Sequence, residues 1–283
     1  MFATCTLALL ILGGCGITRR VAISSMVPLI EKTVEAIYRD QDIETVGKGM
    51  PGNLLLVRGM CESDPGNREL WAMGCQLYFY YGIGFVEEED PGQAELVYAE
   101  GLALGQRWLS RKGWFRPDER MTLFRKGLEK AGRADAPILF WMLANWVSWI
   151  NLRVNDPAAL AQLPYAEGAL ERVLELDPTY FHGMPHVMLG TLQASKPVLI
   201  GGKPEQAQQQ FEEAFAISGR KLLIFQVLYA QSYCRQTLDQ EGFVQALEEV
   251  LRAPADLEPE YRLLNEVAKR KAARLMERKD DWF

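Results

Sequence analysis

Histidine and paired cysteine, the residues that most metal and redox chemistry needs, are scarce in this sequence. Among 283 residues there are 2 histidines and 5 cysteines, and no two cysteines form a C-x-x-C pair. Without such a pair, neither a zinc ribbon nor a thioredoxin-type motif is available. Cys61, Cys75 and Cys234 cannot all pair with one another, and we expect them to be small buried hydrophobic residues.

Clustered positive charge is also scarce. The formal net charge is −6, and Lys and Arg are scattered apart from the run KRKAAR (269–274). Because nucleic-acid binders usually carry a basic face for phosphates, this charge balance argues against a nucleic-acid partner. We interpret KRKAAR as a solvated helix face. We interpret the acidic run VEEEDP (86–91) as a solvated helix junction whose charge lies near the N-terminus of the next helix.

No sustained alternation of Val, Ile and Thr is present, so we predict no β-sheet. Amphipathic runs recur instead with a 3.6-residue spacing, and six breaks rich in Pro or Gly separate them. Four of these breaks place Asp directly before Pro, which is typical of a helix N-cap followed by Pro at the first helical position. The sequence therefore predicts an all-α fold, with a single helical domain over residues 29–283.

Partial copies of the tetratricopeptide-repeat pattern occur along the chain. Small residues at such positions let two helices pack closely, and neighbouring pairs then bury a shared core. No copy is complete, so we predict an array of paired antiparallel helices with degenerate repeats, and generic helix hairpins are the alternative. The residues that carry the pattern are Trp71, Cys75 and Tyr78, then Ala94, Tyr98 and Gly101, then Ala166, Leu170, Val173 and Pro178, and finally Ala207, Phe211, Ala214 and Gly219.

The N-terminal apolar stretch lacks the length of a membrane span. It is uncharged only as far as Thr18, which is short of the roughly 20 residues that a spanning helix needs. LGGC (12–15) resembles the bacterial lipobox, in which two small residues precede a cysteine that receives a lipid. By that resemblance, residues 1–14 are a lipoprotein signal peptide, Cys15 is the lipidated first residue, and residues 15–28 are a tether.

Two features qualify this interpretation of the N-terminus. No basic residue precedes Arg19, although a signal peptide usually begins with Lys or Arg, and a start codon upstream of this Met1 would account for that. Gly16 follows the cysteine where an Asp would signal inner-membrane retention in enteric bacteria, which favours the outer membrane. An uncleaved anchor and an ordinary buried segment are the alternatives to a lipidated Cys15.

The stretch 136–154, APILFWMLANWVSWINLRV, is apolar nearly all round and predicts a buried core helix. An alternative is that one of its faces lines an internal channel, with the aromatic run LYFYYGIGF (77–85) as the opposite wall. Two glycines in that run would each cost about 1 kcal/mol of helix stability, which favours a packing or passage role there. The candidate channel residues are Tyr81, Phe85, Trp141, Asn145 and Trp149.

Both histidines lie in FHGMPHVMLG (181–190), four residues apart. Such spacing on one helix face can bind zinc, but Pro185 between them favours a helix start that leaves His182 in the preceding loop. No third ligand is evident. We therefore predict a packing and capping role, with a ligand-facing or partner-facing role for His186 as the alternative, and we predict no metal, no cofactor and no catalytic residue.

Three blocks in this order resemble the T component associated with TRAP transporters, the TatT-like periplasmic lipoproteins. They are DPGNRELWAMGCQLYFYYGIGFVEEEDPGQAELVYAEG, then LDPTYFHGMPHVMLGTLQASKPVLIGGKPEQAQQQFEEAFAIS, then KLLIFQVLYAQSYCRQ with the tail APADLEPEYRLLNEVAKRKAARLM. The resemblance implies cryptic tetratricopeptide repeats and a homotrimer with a channel through each protomer. It also implies partnership with the solute-binding P component.

These observations lead to three functional hypotheses. The favoured one is a non-enzymatic, lipid-anchored periplasmic accessory protein of a TRAP-type system, which binds the P component and channels a small organic-acid or hydrophobic ligand. The second is an envelope scaffold without ligand transfer. The third, an enzyme acting through a metal at His182 and His186, is the least supported because the sequence shows no set of acid, base and nucleophile.

Overall fold

The computed structural model describes residues 22–116, 120–195 and 203–283, and all the regular secondary structure in these ranges is helical. The predicted all-α class is confirmed. The predicted signal peptide and Cys15 lie outside the described residues. None of the helices in the described ranges combines the length and the hydropathy needed to cross a bilayer.

The helices follow one another with short connections. Two π-helical segments interrupt the regular helices: Gly82–Val86 follows α3, and Tyr229–Cys234 lies between α11 and α12. The α-helices are α1 (22–39), α2 (Ile43–Ser63), α3 (Arg68–Tyr81), α4 (Pro91–Arg111), α5 (Met121–Leu128), α6 (Ala136–Leu152), α7 (Pro157–Leu160), α8 (Leu163–Leu176), α9 (Tyr180–Ala194), α10 (Pro204–Ser218), α11 (Ile224–Leu228), α12 (Arg235–Thr237), α13 (Gln240–Arg252) and α14 (Arg262–Glu277).

The helical part of the chain extends further toward the N-terminus than the sequence predicts. Residues 22–28, which the sequence assigns to the tether, belong to α1. Val27 is only 4% exposed, and the Ser24 hydroxyl donates to Asp64 Oδ2 at 3.0 Å. These contacts hold the start of α1 against the rest of the protein.

The Asp-Pro breaks act as helix starts at two of four places. Asp90 and Asp156 cap α4 and α7, each accepting a backbone N–H of the first turn, and Pro follows each of them. In DPGN the turn moves the cap to Asn67, which accepts from Leu70 N at 3.3 Å. Asp177 instead ends α8. An Asp-Pro pair therefore predicts a break, while the capping residue depends on the turn that follows.

The regular part of α9 begins at Met184, so His182 precedes it as predicted. Phe181, His182 and Gly183 have φ values of 44°, 58° and 86°, in the left-handed region. This region is costly for a residue with a side chain and persists only when packing holds it. The rings of Phe181 and His182 both pack against Tyr261, with centroid separations of 5.5 and 5.0 Å.

Helix α6 lies in the core, as its all-round apolar sequence predicts, and packs against α3, α4, α8 and α9. Two glycines let α4 approach it closely. A Cβ added at Gly101 would overlap Asn145 Oδ1, and one added at Gly105 would overlap Met142 Cγ, because both atoms lie nearer than the 3.0 Å that real Cβ atoms keep. Glycine at these two positions therefore sets the distance between the helices.

The residues at the helix-packing positions of the four predicted copies are buried, from Trp71 in the first copy to Ala214 in the last, whereas Pro178 and Gly219, which follow the helices, are exposed. Helix α9 packs along α10, and α13 packs along α14. The tetratricopeptide arrangement of these pairs stays a prediction. The three cysteines are confirmed as buried and free, and burial raises the pKa of the Cys61 and Cys234 thiols to about 12.

Candidate functional site

A cavity of about 920 Å³ lies between the two π-helical segments, the C-terminal end of α6, the C-terminal part of α9, and α14 with the chain end. We call it the polar cavity, because amide, hydroxyl and charged side chains line it together with aliphatic ones. Its size lies within the roughly 300–1,000 Å³ range typical of small-molecule pockets. It is therefore the candidate functional site.

Both π-helical segments contribute to its wall: Ile83 comes from the first, and Gln231 and Ser232 come from the second. A π-helical turn is rare and is frequently found at functional sites, because it widens the helix locally and turns side chains away from their regular positions. In the first segment Gly82 lets the Tyr98 ring lie close to the backbone, since an added Cβ would overlap that ring. Gly82 and Gly84, the two glycines that lower helix stability in this run, flank the cavity residue Ile83.

Basic side chains of α14 bind the first π-helical segment and the acidic residues that follow it. Lys271 Nζ lies 2.8 Å from Glu88 Oε1, and Arg274 pairs with both Glu88 and Glu89. Arg270 donates to the Gly84 carbonyl. Partial burial opposes ionisation of Glu88, but Lys271 and Arg274 outweigh that effect and lower the pKa of the carboxyl.

These contacts correct the interpretation of KRKAAR as a solvated face, because Lys271 is only 5% exposed and pairs with Glu88. VEEEDP is the helix junction that the sequence predicts: Glu89 and Asp90 are exposed, and Asp90 caps α4. The physical reason is that opposite charges from distant parts of the chain meet where α14 packs beside the end of α3. Each run alone has the same composition as a solvated surface.

Glu87, the residue before Glu88, lines the polar cavity. The hydroxyl of the buried Tyr98 donates to its carboxylate. Burial and, after it, the nearby Glu87 charge raise the pKa of Tyr98, so the phenol stays protonated and remains a donor. The carboxylate is thereby held in position at the cavity wall.

Arg235, the first residue after the second π-helical segment, also lines the cavity. Its guanidinium carbon lies 4.1 Å from the centroid of the Trp282 ring, a cation–π arrangement. Burial and the nearby Arg278 lower the pKa of Arg235.

A second, much smaller space of about 40 Å³ lies on the other side of the first π-helical segment. Its lining is almost wholly apolar and comes from α1, α2, α3, the segment itself and α14. Ile83 borders both this apolar pocket and the polar cavity. The first π-helical segment therefore separates an apolar space from a polar one.

Of the residues predicted to line a channel, Trp141 and Asn145 are 0% exposed and lie in the packed core. Trp141 Nε1 donates to the Tyr180 hydroxyl at 2.8 Å, and its ring lies 5.1 Å from that of Tyr80. Asn145 Nδ2 donates to Cys75 O at 2.8 Å and to Trp141 O at 2.7 Å. The two predicted channel walls thus touch each other at Trp141.

The other predicted residues lie in three separate places. Tyr81 stacks on Phe85 with a centroid separation of 6.3 Å, and Phe85 borders the apolar pocket. Trp149 is partly buried, and the Arg153 guanidinium lies over its ring at 4.9 Å. His186 Nδ1 lies 2.8 Å from Gln210 Oε1 between α9 and α10. Their role as channel lining stays a prediction.

The histidines do not share a face, because the left-handed residues before Met184 turn His182 toward Tyr261 while His186 faces α10. Within the ranges that the structure describes, no group of three His, Cys, Asp or Glu side chains is placed to hold a metal ion. Sequence reasoning missed Glu87, Arg235 and Trp282 as cavity residues. Only the glycine pair at 82 and 84 gave a local signal near the site.

Comparison with known proteins gives one positive result. Among curated proteins, none matches the sequence. A family model described as TRAP transporter T-component matches residues 39–283, which is most of the chain and includes both π-helical segments and the residues of the polar cavity. The resemblance found in the sequence is confirmed, and the chain belongs to the TRAP transporter T-component family.

Proposed function

We propose that this protein is a lipid-anchored periplasmic accessory component of a TRAP-type uptake system. In this proposal it binds the solute-binding P component and holds a small ligand in the polar cavity on its way into the cell. Family membership supports the transport role. The observation that carries the ligand role is the cavity of about 920 Å³ between two π-helical segments.

The anchor belongs to this proposal. LGGC supports lipidation of Cys15, and the absence of an Asp after it supports the outer membrane. A diacylated cysteine binds a bilayer through its buried methylene groups, each of which contributes about 0.8 kcal/mol. The helical domain would then project into the periplasm, where a P component can reach it.

The repeat and the oligomer belong here too. We propose that the helix pairs are degenerate tetratricopeptide repeats and that three copies form the working unit, each with its own ligand path. Buried small residues such as Ala166 and Ala207 support the repeat, because they let paired helices approach closely. The channel residues Trp141, Asn145 and Trp149 would border that path only after a rearrangement of α6 relative to α3.

A scaffold role without ligand transfer is the second candidate. Exposed leucines favour it: Leu55 and Leu56 on α2 and Leu96 on α4 are 61%, 53% and 61% exposed. Leu55 borders a shallow groove between α2 and α4 whose sides carry the ion pairs Arg58–Glu100 and Arg107–Glu62. Apolar side chains with charged neighbours are typical of protein contact surfaces.

Uptake measurements separate the two candidates. Cells that lack this protein but keep the permease and P component would take up a radiolabelled TRAP substrate more slowly, and the full-length protein would restore the rate. A scaffold would restore it equally well when the polar cavity is filled by the double substitution Ser148→Trp and Ser232→Trp. A ligand carrier would not, provided that the filled variant keeps its thermal unfolding midpoint.

A further inference from the structure

Four charged side chains line the polar cavity, and three of them have polar partners among the described residues. Lys271 pairs with Glu88 at 2.8 Å. Asp281 accepts from Arg278 Nε at 3.0 Å. The third, Glu87, accepts the tyrosine hydrogen bond described above. The fourth is Arg235, and its surroundings differ from those of the others.

The Arg235 guanidinium makes neither a hydrogen bond nor an ion pair with any part of the chain that the structure describes. Its Nε is buried and has no acceptor there. Its described contact is with the ring of Trp282, at 4.1 Å from the centroid. A second cation lies beside the same ring: the guanidinium carbon of Arg278 is 5.2 Å from its centroid, and Arg278 pairs with Asp281.

A partly buried cation beside a second cation is unfavourable unless something balances it. A cation–π contact offsets only part of the lost hydration, since such contacts are individually weak at partly exposed sites. The terminal N–H groups of the Arg235 guanidinium thus keep their capacity for hydrogen bonds at the wall of a cavity large enough for a small molecule. This combination is what an anion-binding residue requires before its ligand arrives.

Two amide side chains lie on the same stretch of helix. Gln231 is one helical turn before Arg235 and Gln236 is the next residue, and both line the cavity. Neither makes a side-chain hydrogen bond within residues 22–116, 120–195 and 203–283. Amide N–H groups and a guanidinium from one helical stretch form a set of hydrogen-bond donors.

We propose that Arg235 binds the carboxylate of a small organic anion in the polar cavity, with Gln231 and Gln236 as additional donors and Trp282 supporting the guanidinium from behind. The planar guanidinium matches a carboxylate with two parallel N–H···O bonds. This inference rests on the proposed function, because it names the chemical class of ligand for the same cavity.

The charge balance of the cavity selects a monoanion. Arg235 is the one charged side chain of the cavity without a polar partner among the described residues, and the Glu87 and Asp281 carboxylates in the same cavity oppose a second negative charge on the ligand. A monocarboxylate therefore fits better than a dicarboxylate or a phosphate dianion. The ligand bears its acid group at the α12 end of the second π-helical segment and its remaining atoms toward the aliphatic part of the lining, such as Leu152 and Leu228.

The test uses ¹⁹F NMR with 4-fluorobenzoate as the probe, its neutral isostere 4-fluorobenzamide as the matched ligand, and the full-length protein in detergent. The wild type is expected to broaden the benzoate signal at millimolar probe, with affinity for the amide weaker by about tenfold or more, the factor that a lost charge-assisted hydrogen bond produces. Arg235→Gln is expected to reduce benzoate affinity by a similar factor, and Arg235→Lys to retain part of it.

Arg252→Gln is the matched control, because Arg252 is an exposed arginine on α13 that pairs with Glu248 and does not line the cavity. It is expected to bind benzoate like the wild type. The thermal unfolding midpoint of each variant is measured as well, and a midpoint equal to that of the wild type shows that the variant is folded. Equal benzoate affinity in Arg235→Gln and wild type would overturn the inference, as would an amide that binds as tightly as the acid or a wild type that leaves the probe signal sharp.

The same samples distinguish failure of this inference from failure of the proposed function. Binding of the P component, measured by sedimentation velocity, does not depend on Arg235 in this account. P-component binding together with unchanged benzoate affinity in Arg235→Gln would overturn the anion site alone. Loss of benzoate affinity in that variant supports the anion site even if the wild type fails to bind the P component, a result that would count against the transport role.

Discussion

Lys271 and Glu88 form an ion pair of 2.8 Å that joins the last long helix to the junction after the first π-helical segment. The ammonium is nearly enclosed, since the Lys271 side chain is 7% exposed and that of Glu88 is 27% exposed. The two residues are 183 positions apart in the chain. Their contact fixes α14 beside the wall of the polar cavity.

Lys271→Met is expected to destabilise the protein by about 1–3 kcal/mol, because it leaves the half-buried Glu88 carboxylate without one of its charged donors. Arg274 keeps a contact with Glu88, which limits the loss. Urea unfolding followed by circular dichroism measures the change. Lys48→Met is the matched control on a solvated pair with Glu44 and is expected to cost less than about 0.5 kcal/mol. Equal losses in the two variants would mean that burial of the Lys271 pair has no energetic consequence.

The same pair predicts a dependence of stability on pH. The folded state lowers the pKa of Glu88 below its ordinary value of 4.5, so the pair stabilises the fold above that pH and loses its effect as the pH falls through the folded pKa. The free energy of unfolding of wild type should therefore exceed that of Glu88→Gln at pH 7, and the gap should shrink below pH 4.5. A gap that stays constant between neutral and acidic pH would contradict the ionised pair.

The sequence predicts those features of the fold and of the candidate site that depend on neighbouring residues, and it does not predict those that depend on contacts between distant parts of the chain. The burial of α6 was predictable because apolar residues lie on all its sides, and the helix start near Pro185 was predictable because proline cannot lie deep in a helix. The pairing of KRKAAR with VEEEDP was not, since a charge run has the same composition whether it is solvated or paired. Arg235 became a candidate only when the fold placed it beside Trp282, with no acidic side chain of the described residues paired to it.

The close approach of α4 to α6 gives a third prediction. Gly101→Ala places a Cβ onto Asn145 Oδ1 and is expected to destabilise the protein by about 1–3 kcal/mol, the usual cost of overpacking. Adding Asn145→Ala removes the overlapping atoms, so the double variant should lose less than the sum of the two single variants. Thermal and urea unfolding give the four free energies of this cycle.

Gly59→Ala is the control for that cycle, because a Cβ at Gly59 in α2 meets no atom within 4 Å. It should leave stability unchanged or raise it by up to about 1 kcal/mol, since alanine favours the helix. Additive losses from Gly101→Ala and Asn145→Ala would show that the two positions do not touch.

The fourth prediction concerns the anchor. Cys15→Ala should release the protein from the membrane fraction and abolish labelling by an alkynyl fatty acid, because the cysteine thiol is the proposed site of lipid attachment. Cys61→Ala, which changes a buried thiol, should leave labelling intact. Membrane association that persists in Cys15→Ala would instead support an uncleaved N-terminal anchor.

The most direct test of the account is whether the full-length protein binds the P component of its transport system. Sedimentation velocity of the detergent-solubilised protein with the purified P component, with and without 4-fluorobenzoate, measures this. The account predicts a complex at micromolar concentrations that weakens when Leu55, which borders the α2–α4 groove, and Leu96, which is exposed on α4, are both changed to Glu. Two species that sediment independently at these concentrations, with and without ligand, would contradict the proposed role.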